Sequence, residues 1–167
     1  MRDPEVTSRI MAAVRNRNTK PELALRSALW RRRLRFRVRT ALTGKPDIVF
    51  VGPQVAVFVD GDFWHGNAWR VRGLPSFDAQ FERMNNPEFW KSKLEANMAR
   101  DATVNSKLAD DGWSVYRVFE SRLAKDLDGV ADEIEQLVRS RRVAKVSTVE
   151  AIDTPQEYET EKPCRGQ

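Results

Sequence analysis

The sequence predicts a mixed α/β (α+β) fold: a single domain whose central mixed four-stranded sheet is flanked by helices. Three observations carry this. A length of 167 residues suits one hydrophobic core. Two β-rich runs, Asp47-Ile48-Val49-Phe50-Val51 and Val55-Ala56-Val57-Phe58-Val59, lie between segments whose apolar residues recur at helical spacing. The elements follow the order α, α, β, β, β, α, β, α, which puts helices on a sheet.

Residues 7–14 read as a short helix. Thr19-Lys20-Pro21-Glu22 then has the spacing of a capping box, with proline tolerated in the first turn, so a second helix starts near Lys20. Leu23, Leu25, Leu29 and Trp30 give it apolar residues, and Arg31, Arg32 and Arg33 crowd its end, where cations suit the helix dipole. Phe36-Arg37-Val38-Arg39 alternates as a half-buried strand does. Gly52-Pro53-Gln54 joins the two β-rich runs into a hairpin. Residues 60–87 contain Gly61, Gly66, Gly73 and Pro75 and are expected to be irregular, with a helical turn at 77–84. Pro87 opens a long helix that stops at Asp111-Gly112. Residues 113–119 alternate again, and residues 126–142 form the last helix through Val130, Ile134, Leu137 and Val138. The expected organisation is an arm over 1–18, a folded domain over 19–142 and a polar, disordered tail over 143–167.

Charge is distributed unevenly along this frame. Residues 1–40 hold 12 basic side chains against three acidic ones, so the net +5 hides a basic end and a −4 remainder. Arginine outnumbers lysine 21 to 8, and its planar fork matches phosphate oxygens. Nucleic acid is the partner this implies. Arg9, Arg15, Arg17, Lys20 and the basic residues from Arg31 to Arg39 form a candidate phosphate clamp, with Arg35, Arg37 and Arg39 on one strand face. No apolar run approaches bilayer length and the first residues lack a signal-peptide core, so a soluble, cytoplasmic protein is expected. Cys164 is the only cysteine, which excludes a disulfide framework and a cysteine zinc cage. His65 is the only histidine.

The chemically loaded stretch runs from Gly44-Lys45-Pro46-Asp47 to Val59-Asp60-Gly61-Asp62-Phe63-Trp64-His65. A hairpin brings its two ends together, so the Asp47 carboxylate and the backbone of Val59 and Asp60 make an oxygen-rich corner suited to Mg²⁺. Pro-Asp on its own is an ordinary turn, and a lone histidine is more often structural than catalytic. Just past such a corner, however, His65 suits a general base, and Phe63 and Trp64 suit stacking on bases or wedging between them. On the long helix Trp90, Lys93, Asn97 and Asp101 are spaced 3, 4 and 4, which aligns them in one stripe, with Leu94, Met98 and Leu108 as the adjacent core stripe.

Thr7-Ser8-Arg9-Ile10-Met11, Thr19-Lys20-Pro21-Glu22, Phe36-Arg37-Val38, Gly44-Lys45-Pro46-Asp47, the run from Val57 to His65, Pro87-Glu88-Phe89-Trp90 and Gly112-Trp113-Ser114-Val115 occur in the order found in very short patch repair endonucleases. Over about residues 7–141 the chain resembles that family. The resemblance implies the PD-(D/E)xK nuclease superfamily and a restriction-endonuclease-like fold. It implies nicking of DNA beside a T·G mismatch left by deamination of 5-methylcytosine, with a 5′-phosphate product. Residue by residue, it implies Asp47 and the Val59 backbone carbonyl as ligands of Mg²⁺, present as two ions, and His65 as the general base. Asp101 would orient that base or a metal-bound water, and Glu22 would hold further metal-bound waters. Whether Asp60 binds metal or supports His65 is left open at this stage. Met11, Phe63, Trp64 and Trp90 match the residues that enter the duplex, Lys93 and Asn97 match those that read the wobble pair, and Arg15 and Lys45 complete the expected DNA contacts.

Many members of that family bind a structural zinc; the matching positions here are Asp62, Asn67, Trp69 and Ser121, so no zinc is expected. The Gly66–Pro87 loop must then be held by packing, with Trp69, Phe77 and Phe81 as candidates. The expected partner is double-stranded DNA carrying a T·G mismatch, with mismatch-repair proteins and a DNA polymerase acting downstream, no membrane and a monomeric enzyme. Two alternatives stand beside this: a restriction or phage-defence nuclease without T·G specificity, and a DNA-binding module that has lost catalysis.

Overall fold

The computed structural model describes residues 17–152, with side chains as far as residue 144. The expected helix at 7–14, the wedge Met11 and the contact Arg15 lie outside the described residues. Helix α1 (Lys20–Arg31) starts at the capping box. Thr19 Oγ1 accepts from the Glu22 N–H at 3.4 Å and donates to Glu22 Oε1 at 3.0 Å, while Glu22 Oε2 accepts from the Asn18 N–H at 2.9 Å. These bonds satisfy donors that a helix start leaves without intrahelical partners.

Strands β1 (Ile48–Phe50) and β2 (Val55–Asp60) form the expected antiparallel hairpin, with Ile48 opposite Val57 and Phe50 opposite Val55. Strand β3 (Ser114–Phe119) pairs in parallel with β2, from Val55 opposite Ser114 to Asp60 opposite Phe119, giving the order β1-β2-β3. Strand β2 is therefore central and covered on both faces. Val55 and Val57 join Ile48, Phe50, Leu25, Leu29, Val130, Ile134 and Val138 in one core cluster. On the other face Ala56 and Phe58 pack with Leu108, against Leu42, Val104, Trp113 and Val115. A central strand buried on both faces needs an almost continuous apolar run, as Val55-Ala56-Val57-Phe58-Val59 supplies.

Between β2 and β3 lie helix α2 (Ala68–Val71), a 3₁₀ turn at Asp78–Gln80 and the long helix α3 (Pro87–Asp110). Helix α3 starts at Pro87 and ends before Gly112, whose φ of +80° suits glycine. In the loop Phe77 and Phe81 stack edge to face at 5.1 Å, and Phe81 is buried, while Trp69 lies under the Arg70 guanidinium. After β3 come α4 (Glu120–Lys125) and α5 (Leu127–Ile152). Arg32, just past α1, donates to Asp128 and Asp132 and so ties α1 to α5. Among the described residues no helix is long and apolar enough to cross a membrane.

The structure corrects four expectations. The sheet has three strands: of the expected fourth, only Arg37 pairs, in an isolated bridge with Val49 made by two 2.8 Å bonds. Arg39 then takes a left-handed φ of +60°, which turns the chain out of line before a ladder can form. Arg35, Arg37 and Arg39 accordingly do not share a strand face, and Arg35 stacks over Trp30 at 4.2 Å. The last helix runs ten residues beyond the expected 142, because a helix already anchored on a core can extend into polar sequence. Met98 is 43% exposed rather than part of the core stripe with Leu94 and Leu108, since it lies over Gly66 instead of the sheet.

Candidate active site

Asp47 is set by the loop before it and the strand beside it. Gly44 has a φ of +76°, and a Cβ there would collide with the Val104 side chain of α3, so the loop can lie this close only with glycine. The Asp47 N–H donates to the Val57 carbonyl at 3.0 Å, which places its side chain at the end of β2. There Oδ2 accepts from the Val59 N–H at 2.8 Å. Among the described residues no donor reaches Oδ1. Burial pushes the Asp47 carboxyl up to about 6; the Val59 hydrogen bond opposes this, Glu22 adds to it by like charge, Arg26 opposes it and Asp60 adds again.

Glu22 is 3% exposed. Its oxygens accept from Asn18, Thr19 and Arg26, the last at 3.0 Å, which leaves one acceptor position on Oε1. Arg26 also donates to the Asp47 backbone carbonyl at 3.3 Å, so one side chain joins α1 to the Asp47 loop.

His65 lies on the other side of the strand end. Its Nδ1 is 2.5 Å from Asp101 Oδ2 and 3.7 Å from Asp60 Oδ1. A carboxylate partner makes Nδ1 the protonated nitrogen and leaves the Nε2 lone pair available to accept a proton. Arg117 on β3 organises both carboxylates. Its Nε and Nη2 donate to Asp60 at 2.7 and 3.1 Å, Nη2 donates to Asp101 Oδ1 at 3.0 Å, and Nη1 donates to Asn105 at 3.2 Å. Asp60 thus has both oxygens in a bidentate pair with Arg117, which holds it beside His65. Among the described residues no three His, Cys, Asp or Glu side chains gather as a metal cage. A cation at Asp47 would find that carboxylate and the strand-end backbone beside it, hard oxygen donors of the kind that suit Mg²⁺.

The α3 stripe faces this loop along its length. Trp90 packs on Phe63 at 5.7 Å and on Trp64 at 6.2 Å, and Phe63 and Trp64 meet edge to face at 5.1 Å. Lys93 Nζ lies 6.0 Å from the Trp64 ring centre, and Asn97 Nδ2 donates to the Trp64 carbonyl at 3.1 Å. Asp101 completes the stripe at His65. Phe89, 51% exposed, extends the aromatic group to the surface. Gly66, with φ of +74°, sits where a Cβ would collide with Met98, so this loop too is pressed onto α3.

A second polar group closes the loop. Asp62, 9% exposed, accepts from the Ser121 N–H at 3.0 Å, from the Ser121 hydroxyl at 2.7 Å and from Asn67 Nδ2 at 2.5 Å. These are three of the four positions that match zinc-ligand positions, and here they bond to one another. Trp69 takes no part.

Of the residues the sequence pointed to, the structure brings Asp47 against the Val59 N–H and His65 against Asp60 and Asp101; Arg117, which joins the last two, was not among them. The available signal was a lone arginine inside an otherwise apolar strand, Ser114-Val115-Tyr116-Arg117-Val118-Phe119, where a cation requires a buried counter-charge.

The family model described as DNA mismatch endonuclease Vsr matches residues 1–71, which include Glu22, Asp47, Val59 and His65. The chain is 39% identical over 140 residues to the type II nicking enzyme V.NmeDIP of Neisseria meningitidis serogroup C, covering 83% of this chain and 90% of the relative. It is 36% identical over 142 residues to the type II nicking enzyme V.HpaIIP of Haemophilus parainfluenzae, covering 84% and 96%. Against the DNA mismatch endonuclease Vsr of Escherichia coli (strain K12) the identity is 34% over 122 residues, covering 72% and 73%. A half-buried carboxylate at a strand end, a histidine held by an aspartate and this similarity lead to one conclusion: the chain belongs to the Vsr family of DNA-nicking endonucleases.

Proposed function

We propose that this endonuclease nicks one strand of duplex DNA next to a T·G mismatch in a Mg²⁺-dependent hydrolysis, the first step of very short patch repair. One observation carries the reading. Asp47 accepts from the Val59 N–H at 2.8 Å and the next residue, Asp60, lies 3.7 Å from His65, which supports reading the carboxylate corner and the imidazole as one site. The order of helix, hairpin, long helix, strand and helix supports a restriction-endonuclease-like core.

Where Asp47 and the Val59 carbonyl hold Mg²⁺, the chemistry supplied is polarisation of the scissile phosphodiester. His65 accepts the proton of the attacking water on Nε2. Asp101 keeps the ring in that tautomer and stabilises the imidazolium that forms, and Arg117 keeps Asp101 from rotating away. Phe63, Trp64 and Trp90 offer the aromatic edge that enters the duplex beside the mismatch, with Lys93 and Asn97 next to it. The hydrogen bonds of Asp62 to Ser121 and Asn67 hold the loop without zinc.

Relatives named as type II nicking enzymes favour a second reading, in which nicking does not require the T·G pair. Nicking with Mg²⁺ of T·G, A·C and fully paired duplexes in varied flanking sequence separates the two. The first reading expects cleavage of T·G alone; equal cleavage of paired duplexes establishes the second. His65→Ala is expected to lose at least about a hundredfold in rate while still binding DNA. A wild-type rate for that variant would remove His65 from the mechanism.

A further inference from the structure

His65 has more negative charge beside it than a proton acceptor can use. Its Nδ1 lies 2.5 Å from Asp101 Oδ2 and 3.7 Å from Asp60 Oδ1. Two carboxylates at those distances favour the imidazolium, and a ring that already holds a proton cannot take one from water. The same two carboxylates also compete for a single N–H, and only one of them can fix the ring.

Arg117 resolves both conflicts. It stands opposite Phe58 in the β2–β3 pair, with its guanidinium carbon 4.5 Å from the Phe58 ring centre. Five hydrogen bonds use its five N–H donors: Nε and Nη2 on Asp60, Nη2 also on Asp101 Oδ1, and Nη1 on Asn105 and on the Asp101 backbone carbonyl at 3.5 Å. Of the four carboxylate oxygens of Asp60 and Asp101, three accept from Arg117, and Asp101 Oδ2 is left for Nδ1. The Arg117 and Asp60 side chains are 18% and 8% exposed, so solvent does not stand in for this cation. Other charged groups around the loop are engaged away from the ring. Asp62 bonds to Ser121 and Asn67, Glu120 accepts from the Asp62 N–H, Asp47 accepts from the Val59 N–H, and Lys93 lies over Trp64.

We infer that Arg117 is a positioning residue for the proton acceptor, a role that rests on His65 as the general base. By occupying Asp60 it assigns Nδ1 to Asp101, and by cancelling one of two negative charges it leaves the ring neutral until water gives up its proton. Lysine is no substitute, because one ammonium cannot span both carboxylates with the fixed geometry of a planar fork.

His65 is the only histidine, so its ring C–H signals in the untagged full chain can be followed by NMR against pH, without DNA or Mg²⁺. Arg117→Met is expected to raise the pH midpoint of those signals by about one unit or more. The acidic limb of its nicking rate against pH moves up by the same amount, so a loss of about tenfold near neutrality shrinks at higher pH. Arg117→Met/Asp60→Asn, in which one net negative charge again faces the ring, returns the midpoint to near the wild-type value. Arg117→Lys keeps the midpoint near wild type and nicks about tenfold more slowly or worse. Should Arg117→Met fail to fold, Asp60→Asn and the double variant carry the comparison: the first lowers the midpoint by about one unit and the second restores it. An unchanged midpoint in folded Arg117→Met, or one that the Asp60→Asn change does not bring back, overturns the proposal. A raised midpoint with an unchanged rate profile upholds the hold of Arg117 on the ring and removes His65 from proton transfer, so the two readings fail separately.

Discussion

Asp47 holds a charge where the protein alone makes charge costly. Its carboxyl is raised from 3.8 to about 6, mainly by burial, so ionising it costs the folded state roughly 3 kcal/mol in the absence of a cation. The folded value lies above the unfolded one, so this contribution to stability is fully present below pH 3.8 and is lost as pH rises through about 6. Asp47→Asn keeps an oxygen for the Val59 N–H and never ionises. We expect it to gain about 1–3 kcal/mol of metal-free stability at pH 8, seen as several degrees in Tm, and to show no gain near pH 4. The same variant loses nearly all nicking. Equal melting temperatures at pH 8 would mean that the carboxylate is not strained. At this scale legibility depended on locality. Asp47, Asp60 and His65 fall within 19 residues and stand out in the sequence, whereas Arg117 reaches Asp60 across 57 positions and acquires meaning only when β3 docks.

Elements whose start and stop signals lie in adjacent residues were legible; those decided by distant contacts were not. Thr19 and Glu22 announced α1, and Pro87 and Gly112 bracketed α3, because caps and breakers act within a turn. Helix α4, six residues long, is too short to show a period, and the 36–39 alternation promised a strand that Arg39's left-handed backbone prevents. The loop that carries His65 depends on Asp62. Asp62→Ala leaves the Ser121 N–H and hydroxyl and the Asn67 amide without their acceptor, for an expected loss of about 2–3 kcal/mol in chemical denaturation. Nicking at a temperature where the variant remains folded is expected to fall by tenfold or more, because the loop no longer holds His65 against Asp101. A stability loss with an unchanged rate would separate the loop's anchoring from catalysis.

Across the whole molecule the uneven charge has a plan. The basic end contributes α1 and the Arg26 that reaches the Asp47 carbonyl, while the acids of the remainder meet specific partners: Asp128 and Asp132 at Arg32, Asp60 and Asp101 at Arg117. The net charge of +5 describes neither half. Because the hydrogen bonds of Asp62 already join the loop to α4, the proposed divalent ion would serve the chemistry rather than hold the fold. EDTA is therefore expected to abolish nicking without lowering Tm, and Mg²⁺ alone to restore it; a fall in Tm on chelation, or recovery only with zinc, would contradict this. The three-layer arrangement was legible from element order, whereas the number of strands was not, since a single bridge and a strand differ by one backbone turn.

Both glycine contacts are made on one helix. The Asp47 loop rests on Val104 through Gly44, and the His65 loop rests on Met98 through Gly66. Helix α3 is thus the ruler that sets the spacing between the carboxylate corner and the imidazole. The loops themselves can lengthen or shorten at their outer ends without changing that spacing. An insertion of one residue between Met98 and Val104 would instead rotate one contact by about 100° relative to the other. Length variation in this chain is therefore permitted in the irregular 72–76 stretch and forbidden in those few residues of helix, the reverse of what surface exposure alone suggests.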